Sequence, residues 1–145
     1  MNDEKTLRVG TVNLSELCRG LHQYEEMQSR IQECEEQRNK KVSDLEKKFQ
    51  ADFPQASPSE RLAMVSEVNA WKSKQAEEVH AFAVGERHAL FAQIQGVIRK
   101  KAEQKGFDLV LDTAEVCTSG FPSVLFSREE LDITQEIIHA MNAAV

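Results

Sequence analysis

The sequence predicts an α+β fold that is mainly helical, in which a long antiparallel helical hairpin extends from a small β head. Two long helical patterns carry this prediction. Residues 21–53 contain no glycine or proline, and a second pattern runs from Pro58 to Lys105. Short apolar segments typical of strands lie before and after the hairpin.

The chain has 145 residues, which is enough for one domain but not for two full ones. We expect the head at residues 1–20 and 106–145 and the arm at residues 21–105. The turn of the arm is predicted at residues 54–59, where two prolines interrupt the helical pattern.

The first element is predicted as a short strand, because residues 7–12 alternate Leu7 and Val9 with more polar neighbours. Asn13 is placed to cap the helix that follows, with Glu16 three residues later as in a capping box. This short helix is expected to end near Gly20.

The two arm helices are predicted from their apolar spacing and their ends. Apolar residues recur at intervals of three and four in the outgoing helix, with one gap around Arg38. The return helix starts with Ser57 as cap, Pro58 at the first helical position and Glu60 closing a capping box. Gly106 is its natural stop. At about 1.5 Å per residue the arm would project roughly 60–70 Å.

After Gly106 we expect strands at Phe107–Leu111 and Val124–Phe126, separated by a loop at 113–122. The chain then closes with a helix from about Asp132 to Ala143. The strand residues expected to build the head sheet are Leu7, Val9, Val12, Phe107, Leu109, Leu111, Val124 and Phe126.

The head is predicted to form only as an assembly of several copies. Outside the hairpin roughly 60 residues remain, and a core of that size is marginal alone. Three short strands would also leave two open sheet edges. Strands from several copies joining into one closed sheet would solve both problems, so the sequence predicts a homo-oligomer.

Charge and hydropathy exclude several classes of protein. The formal net charge is −6, and residues 22–105 carry 14 acidic and 14 basic side chains. Nothing resembles a basic nucleic-acid footprint, so no nucleic-acid partner is expected.

No apolar run approaches about 18 residues, so no stable membrane insertion is expected. "MNDEKTLRV" lacks an apolar core, so no signal peptide is expected in this chain. That suits a cytosolic protein or an exported one whose signal has been removed.

The residues suited to chemistry do not form a site. Three cysteines without a C-x-x-C pair predict free, mostly buried thiols, with an interchain disulfide as the alternative: Cys18, Cys34 and Cys117. Glu77 and His80 have an E-x-x-H spacing, but a carboxylate metal site of that type needs two copies of it. No phosphate-binding glycine loop or nucleophile motif is present. The sequence therefore predicts no catalytic residue, no metal and no cofactor, although an enzyme stays a possible alternative.

The order of these segments resembles the Skp (OmpH) family of periplasmic chaperones over nearly the whole chain. The resemblance rests on "LRVGTVNLSELCRG", "FDLVLDTAEV", "VLFS" and "LDITQEIIHAMN". It implies a homotrimer whose strands build a small central barrel and whose three arms enclose a cavity. In that cavity unfolded outer-membrane proteins are held in the periplasm without ATP or catalysis.

Two alternatives to a holdase chaperone stay open: a coiled-coil adaptor that binds one folded partner, and a hairpin chaperone of the prefoldin type. The residues expected to face a client, or else to form the seam between the two helices, are Met27, Phe49, Phe53, Met64, Trp71 and Phe82.

A stripe of small residues along the return helix includes Gly85 and Gly96. Either a neighbouring helix packs closely there, or the two glycines form a hinge that lets the arms splay.

Overall fold

The computed structural model describes residues 5–144 and confirms the mainly helical fold. Its strands are β1 (Val9–Val12) and β2 (Leu109–Asp112). Its α-helices are α1 (Leu14–Gly20), α2 (His22–Asp52), α3 (Pro58–Lys105) and α4 (Thr134–Asn142). A 3₁₀ turn, Phe53–Gln55, follows α2, and another, Glu129–Leu131, precedes α4.

The chain divides into two compact units. The head unit holds the chain up to Glu26 and from Ala89 onward, and the arm unit holds Met27–His88. The head and arm boundaries proposed from the sequence stay predictions. The expectation of no signal peptide concerns residues 1–9, of which residues 1–4 lie outside the described residues. Val145, the last residue of the predicted head, also lies outside them.

The two strands of the head unit pair with each other in parallel, with Val9 opposite Leu109 and Val12 opposite Asp112. A parallel pair needs a long crossover connection, and here the chain between the strands, with α1, α2 and α3, supplies it. Each of the two strands therefore has a partner within the chain along one of its edges. The other edge of β1 meets the chain before α4, because the Thr11 carbonyl accepts a hydrogen bond from Ile133 N at 2.9 Å.

Close approach of the Phe107 ring requires glycine at position 10. A Cβ built on Gly10 would lie 2.5 Å from two carbons of that ring. We expect Gly10→Ala to lower the free energy of unfolding by about 1–3 kcal/mol, because the added methyl overpacks the site. Denaturant unfolding of Gly10→Ala beside Gly85→Ala measures this. A Cβ on Gly85 meets nothing within 4 Å, so equal destabilisation by both would contradict the argument.

Helices α1 and α4 pack together in the head unit, and Asn142 at the end of α4 holds the break between α1 and α2. Its Nδ2 donates to the Gly20 carbonyl at 2.9 Å, and its Oδ1 accepts from His22 N at 3.2 Å. Leu21 between the helices has an extended backbone, so α2 begins one residue later than predicted. The buried apolar residues of this unit are Val12, Leu17, Leu21, Leu90, Ile94, Ile133, Ile137 and Met141.

Helix α3 has the predicted bounds because both of its ends are specified locally. Ser57 N donates to the Glu60 carboxylate at 2.7 Å, and Glu60 N donates to the Ser57 hydroxyl at 3.3 Å. This is the expected capping box. At the other end Gly106 adopts a positive φ of 68°, and Phe107 N donates to the Ala102 carbonyl at 2.8 Å. These bonds are those of a Schellman motif.

The start of α4 was predicted two residues too early. The helix begins at Thr134, because the backbone of Asp132 and Ile133 runs beside β1 at Thr11. The Asp132 carboxylate instead accepts hydrogen bonds from Thr134 N at 2.9 Å and from its hydroxyl at 2.5 Å.

The segment Val124–Phe126 forms no strand within the described chain, and its role as a strand of a barrel shared between copies stays a prediction. A strand is defined by its hydrogen-bonded neighbour, and among residues 5–144 no other strand pairs with this segment. The preceding loop folds back on itself, with an antiparallel bridge between Val116 and Pro122. Leu125 and Phe126 follow with their side chains 86% and 81% exposed.

The arm unit is an antiparallel helix pair. Its three ion pairs join residues whose numbers rise along α2 and fall along α3, which is the signature of antiparallel packing: Arg30–Glu86, Arg38–Glu78 and Glu46–Lys72. All three are partly exposed, so each adds little stability. The apolar seam carries the packing instead.

Candidate functional site

Outside α3, the described part of the head unit carries seven exposed large apolar side chains, here together called the head surface. Single exposed apolar residues are ordinary, but several in one small unit are suited to contact with another chain. The members of the head surface are Leu7, Leu109, Leu111, Val116, Phe121, Leu125 and Phe126. The sequence prediction placed Leu125 within the strand Val124–Phe126 but did not single out Val116 or Phe121, although the run "FPSVLF" is unusually apolar for a loop.

The outer edge of β2 lies open. Leu109 N donates to the Arg8 carbonyl and Thr113 N to the Val12 carbonyl, so the odd-numbered residues of β2 face β1. Because backbone groups alternate along a strand, those of Val110 and Asp112 point to the other edge. No strand within residues 5–144 covers that edge.

The arm unit carries a second apolar surface, a groove of about 440 Å³ beside the turn, here called the tip groove. Phe49 and Phe53 lie four residues apart on one wall, and Met64 and Val68 lie four apart on the other, with Val65 beside them. Residues at this spacing share one helix face. The groove therefore brings together three of the predicted client-facing residues. Val65 and Val68 were missed as site residues, although their helical spacing places them with Met64.

The two charged residues that line the tip groove compensate each other, and one further cation, Arg61, lies beside the groove. The charged residues that line it, Glu46 and Lys72, are paired with each other at 2.5 Å. Arg61 lies over the Phe53 ring, 4.9 Å from its centroid, and donates to the Phe53 carbonyl at 3.0 Å. Two amides, Gln50 and Asn69, complete the lining.

The tip of the arm has no desolvated core of its own. From Gln32 to Lys74 no side chain is fully buried, whereas Ile31, Gln75 and Ala83 closer to the head are buried. The apolar side chains that face each other at the tip, such as Phe49 and Met64, are therefore partly but not fully buried.

A polar layer separates the tip from the rest of the arm unit. Arg38 Nη1 donates to Gln75 Oε1 at 3.2 Å and forms an ion pair with Glu78. This accounts for the gap in the apolar stripe at Arg38. Of the three side chains only Gln75 is buried, so its bond to Arg38 satisfies the one buried polar group of this contact.

Three of the predicted client-facing residues lie outside the tip groove. Met27 is only 1% exposed, so within the chain it has no free surface to offer a client, which agrees with the alternative that it belongs to the seam. Trp71 is half-buried on α3, near Lys41 and Lys48 of α2. Phe82 is partly exposed on α3.

The small-residue stripe does not pack against another part of the described chain at its two glycines. A Cβ built on Gly85 or Gly96 meets nothing within 4 Å. Along α3 the two glycines lie on either side of the division between the arm and head units. Their role as a hinge stays a prediction.

Within the chain the three cysteines are free. Cys18 and Cys34 are largely but not fully buried, whereas Cys117 is exposed, so the expectation of mostly buried thiols is wrong for Cys117. Burial raises the pKa of Cys18, and the nearby Asp112 carboxylate adds to this rise. The pKa of Cys117 is lowered, chiefly by a hydrogen bond with the Ser119 hydroxyl at 2.9 Å.

The described residues give no evidence of a metal or membrane-spanning site. Within residues 5–144 no three His, Cys, Asp or Glu side chains are grouped so as to hold a metal ion. Glu77 and His80 are exposed on α3. None of the helices in this part of the chain is both long and apolar enough to cross a bilayer.

The fold and its two apolar surfaces define a helical-hairpin protein with surfaces suited to binding other polypeptide chains. The family model for outer membrane protein (OmpH-like) matches residues 8–141. The chain therefore belongs to the OmpH-like family.

Comparison with solved structures agrees at the level of the fold. The chain is similar to a structure described as an OmpH-like outer membrane chaperone from Caulobacter crescentus CB15, with a TM-score of 0.59 and 13% identity. The match covers 100% of this chain and 89% of that chain. No curated protein sequence matches this chain significantly.

Proposed function

We propose that this protein is a holdase chaperone that acts without ATP. It encloses unfolded outer-membrane β-barrel proteins between its helical arms and keeps them soluble in the periplasm. The observation that carries this proposal is the apolar surface of the arm tip, where large side chains lie half-exposed on helices whose charges balance. Many weak apolar contacts hold an unfolded client while leaving it free to depart.

Membership of the OmpH-like family supports a chaperone role, and so does the similarity to a structure described as an outer membrane chaperone. The periplasmic location and the class of client rest on the same family relationship.

We further propose that the working form is a homotrimer whose strands form a shared barrel. In a single chain the outer edge of β2 is open and the segment Val124–Phe126 has no strand partner. If the segment Val124–Phe126 of one copy pairs with β2 of the next copy, the open edge of β2 and the unpaired segment both gain a hydrogen-bonded neighbour. The same contact would cover the apolar side chains of the head surface.

The function is tested by diluting a urea-unfolded outer-membrane β-barrel protein into buffer with and without this protein, in the absence of ATP. Suppression of light scattering at about one client per trimer supports the proposal. If the client aggregates as fast with an excess of this protein as it does without it, the proposal is rejected. Light scattering of this protein alone gives its mass, to be compared with three times 16.4 kDa.

An adaptor that binds one folded partner is the second candidate, and the tip groove is the observation that favours it. A discrete groove suits a specific partner better than diffuse contacts do. If this protein binds a natively folded outer-membrane protein but not the unfolded form of the same protein, the adaptor is supported.

The hinge is tested by the double variant Gly85→Ala, Gly96→Ala. Since neither added methyl meets another atom, we expect the free energy of unfolding to rise by about 1–2 kcal/mol in total. Stiffer arms should narrow the range of arm spread in small-angle scattering and the range of client sizes held. If the double variant is more stable but its arm spread and its range of client sizes are unchanged, the hinge hypothesis is rejected.

A further inference from the structure

We propose that the tip groove is a discrete docking site for the aromatic side chains of an extended, uncharged segment of an unfolded polypeptide. This inference rests on the proposed function and assigns one part of the client contact to a defined place. The groove lies wholly within the arm unit.

The size and lining of the groove select the occupant. A volume of about 440 Å³ is within the range of small-ligand pockets, about 300–1,000 Å³. It accommodates one or two large side chains. Phe49 and Phe53 offer ring faces for aromatic contact, and Met64 offers a deformable thioether beside them.

The charges of the groove select against ionic segments. Glu46 and Lys72 are paired with each other at its rim, and the Arg61 guanidinium beside it donates to the Phe53 and Pro54 carbonyls. A charged side chain entering the groove would therefore lose water without gaining an ion-pair partner that is not already engaged. An uncharged side chain bears no such cost. The Gln50 and Asn69 amides can donate to and accept from the backbone of an extended peptide that lies across the rim.

The absence of a fully buried side chain from Gln32 to Lys74 gives the groove its adaptability. A helix pair that holds its tip by half-buried contacts opens locally at low cost. The bond between Arg38 and Gln75 lies, along both helices, between the groove and the buried arm residues Ile31 and Ala83.

The chain offers a matched pair of variants to test this. Val65 and Leu62 are both exposed on α3, at 48% and 73%, but only Val65 lines the groove. Aspartate is too short to extend its carboxylate out of the groove, as lysine could. Val65→Asp and Leu62→Asp therefore place the same charge three residues apart, inside and outside the proposed site.

The probe is a fluorescein-labelled 14-residue peptide that alternates Phe and Tyr with Ser, Thr and Asn, and its control has every aromatic residue replaced by alanine. Binding to the full-length protein is followed by anisotropy. We expect Val65→Asp to weaken binding of the aromatic peptide at least tenfold and Leu62→Asp less than twofold. The alanine peptide should bind at least tenfold more weakly to the unchanged protein. Circular dichroism checks that each variant keeps the helical content of the unchanged protein. Val65→Thr, a near-isosteric polar change, is expected to weaken binding of the aromatic peptide about threefold.

Equal effects of the two aspartate variants, or equal binding of the two peptides, would overturn the docking site. So would a concentration-dependent mass increase that Val65→Asp abolishes, because it would make a second copy of the tip the occupant. The aggregation assay on the unchanged protein reports the proposed function separately. If aggregation is suppressed while the variants bind alike, the groove inference fails and the holdase stands. If aggregation is not suppressed while the variants differ, the groove is a peptide site in a protein without holdase activity.

Discussion

Replacing Phe126 by aspartate is expected to reduce the solution mass from three chains to one chain of 16.4 kDa. Phe126 is 81% exposed in the single chain, so the substitution leaves the fold of that chain intact. In the proposed trimer the same position is covered by a neighbouring copy. Burying an uncompensated carboxylate costs on the order of several kcal/mol. A symmetric trimer has three equivalent contacts, so the cost of burying the carboxylate applies at each of the three.

Light scattering over a hundredfold range of concentration measures this effect, with Leu62→Asp as the control. Leu62 is equally apolar and 73% exposed, but it belongs to the arm unit. The unfolding temperature of the unchanged protein should rise with concentration, and that of Phe126→Asp should not. A Phe126→Asp protein that keeps the mass of three chains would exclude the head surface as the trimer contact. If Leu62→Asp also dissociates the trimer, the effect of Phe126→Asp would come from added negative charge in general and not from the head surface.

Truncating Ile137 to alanine should produce a large loss of stability in the head unit. Ile137 is 0% exposed, as are Leu17 and Ile133 in the same unit. Removing a buried isoleucine side chain to its Cβ costs about 2–5 kcal/mol, from lost transfer free energy and from the cavity left behind. Small domains are stable by about 5–15 kcal/mol, so this is a large share of the total.

The adjacent Ile138 is the matched control, because it carries the same side chain on the same helix but is only half-buried. Both alanine variants are best made in the Phe126→Asp background, where unfolding is not coupled to assembly. Urea unfolding should show a fall of at least 2 kcal/mol for Ile137→Ala and about 1 kcal/mol for Ile138→Ala. Equal losses at the two positions would mean that α4 does not present a single buried face to the head core.

The accuracy of the sequence predictions depended on how locally each feature is specified. Helix α3 has the predicted bounds, because Ser57, Glu60 and Gly106 act within a few residues of its ends. By contrast, the helical stripe of the arm could not separate seam from surface. Met27 and Phe53 occur in the same pattern, yet Met27 is core and Phe53 lines an open groove.

Features of the head depend on residues that are distant in the sequence. A run such as Val124–Phe126 has strand composition, but it becomes a strand only where another edge meets it. The start of α4 moved for a similar reason, because Ile133 N bonds to the Thr11 carbonyl across more than a hundred residues.

The amino-acid pattern alone was sufficient for the helical hairpin, its turn, the capping of α3 and the apolar character of the head, because helix period, capping and glycine conformation are short-range effects. Tertiary packing was needed for the parallel pairing of β1 with β2, the break held by Asn142 and the tip groove. These features arise from groups that meet only after the chain has folded. Asn13 N and the Thr134 hydroxyl, bonded at 2.9 Å, lie 121 residues apart in the sequence, and no local rule connects them.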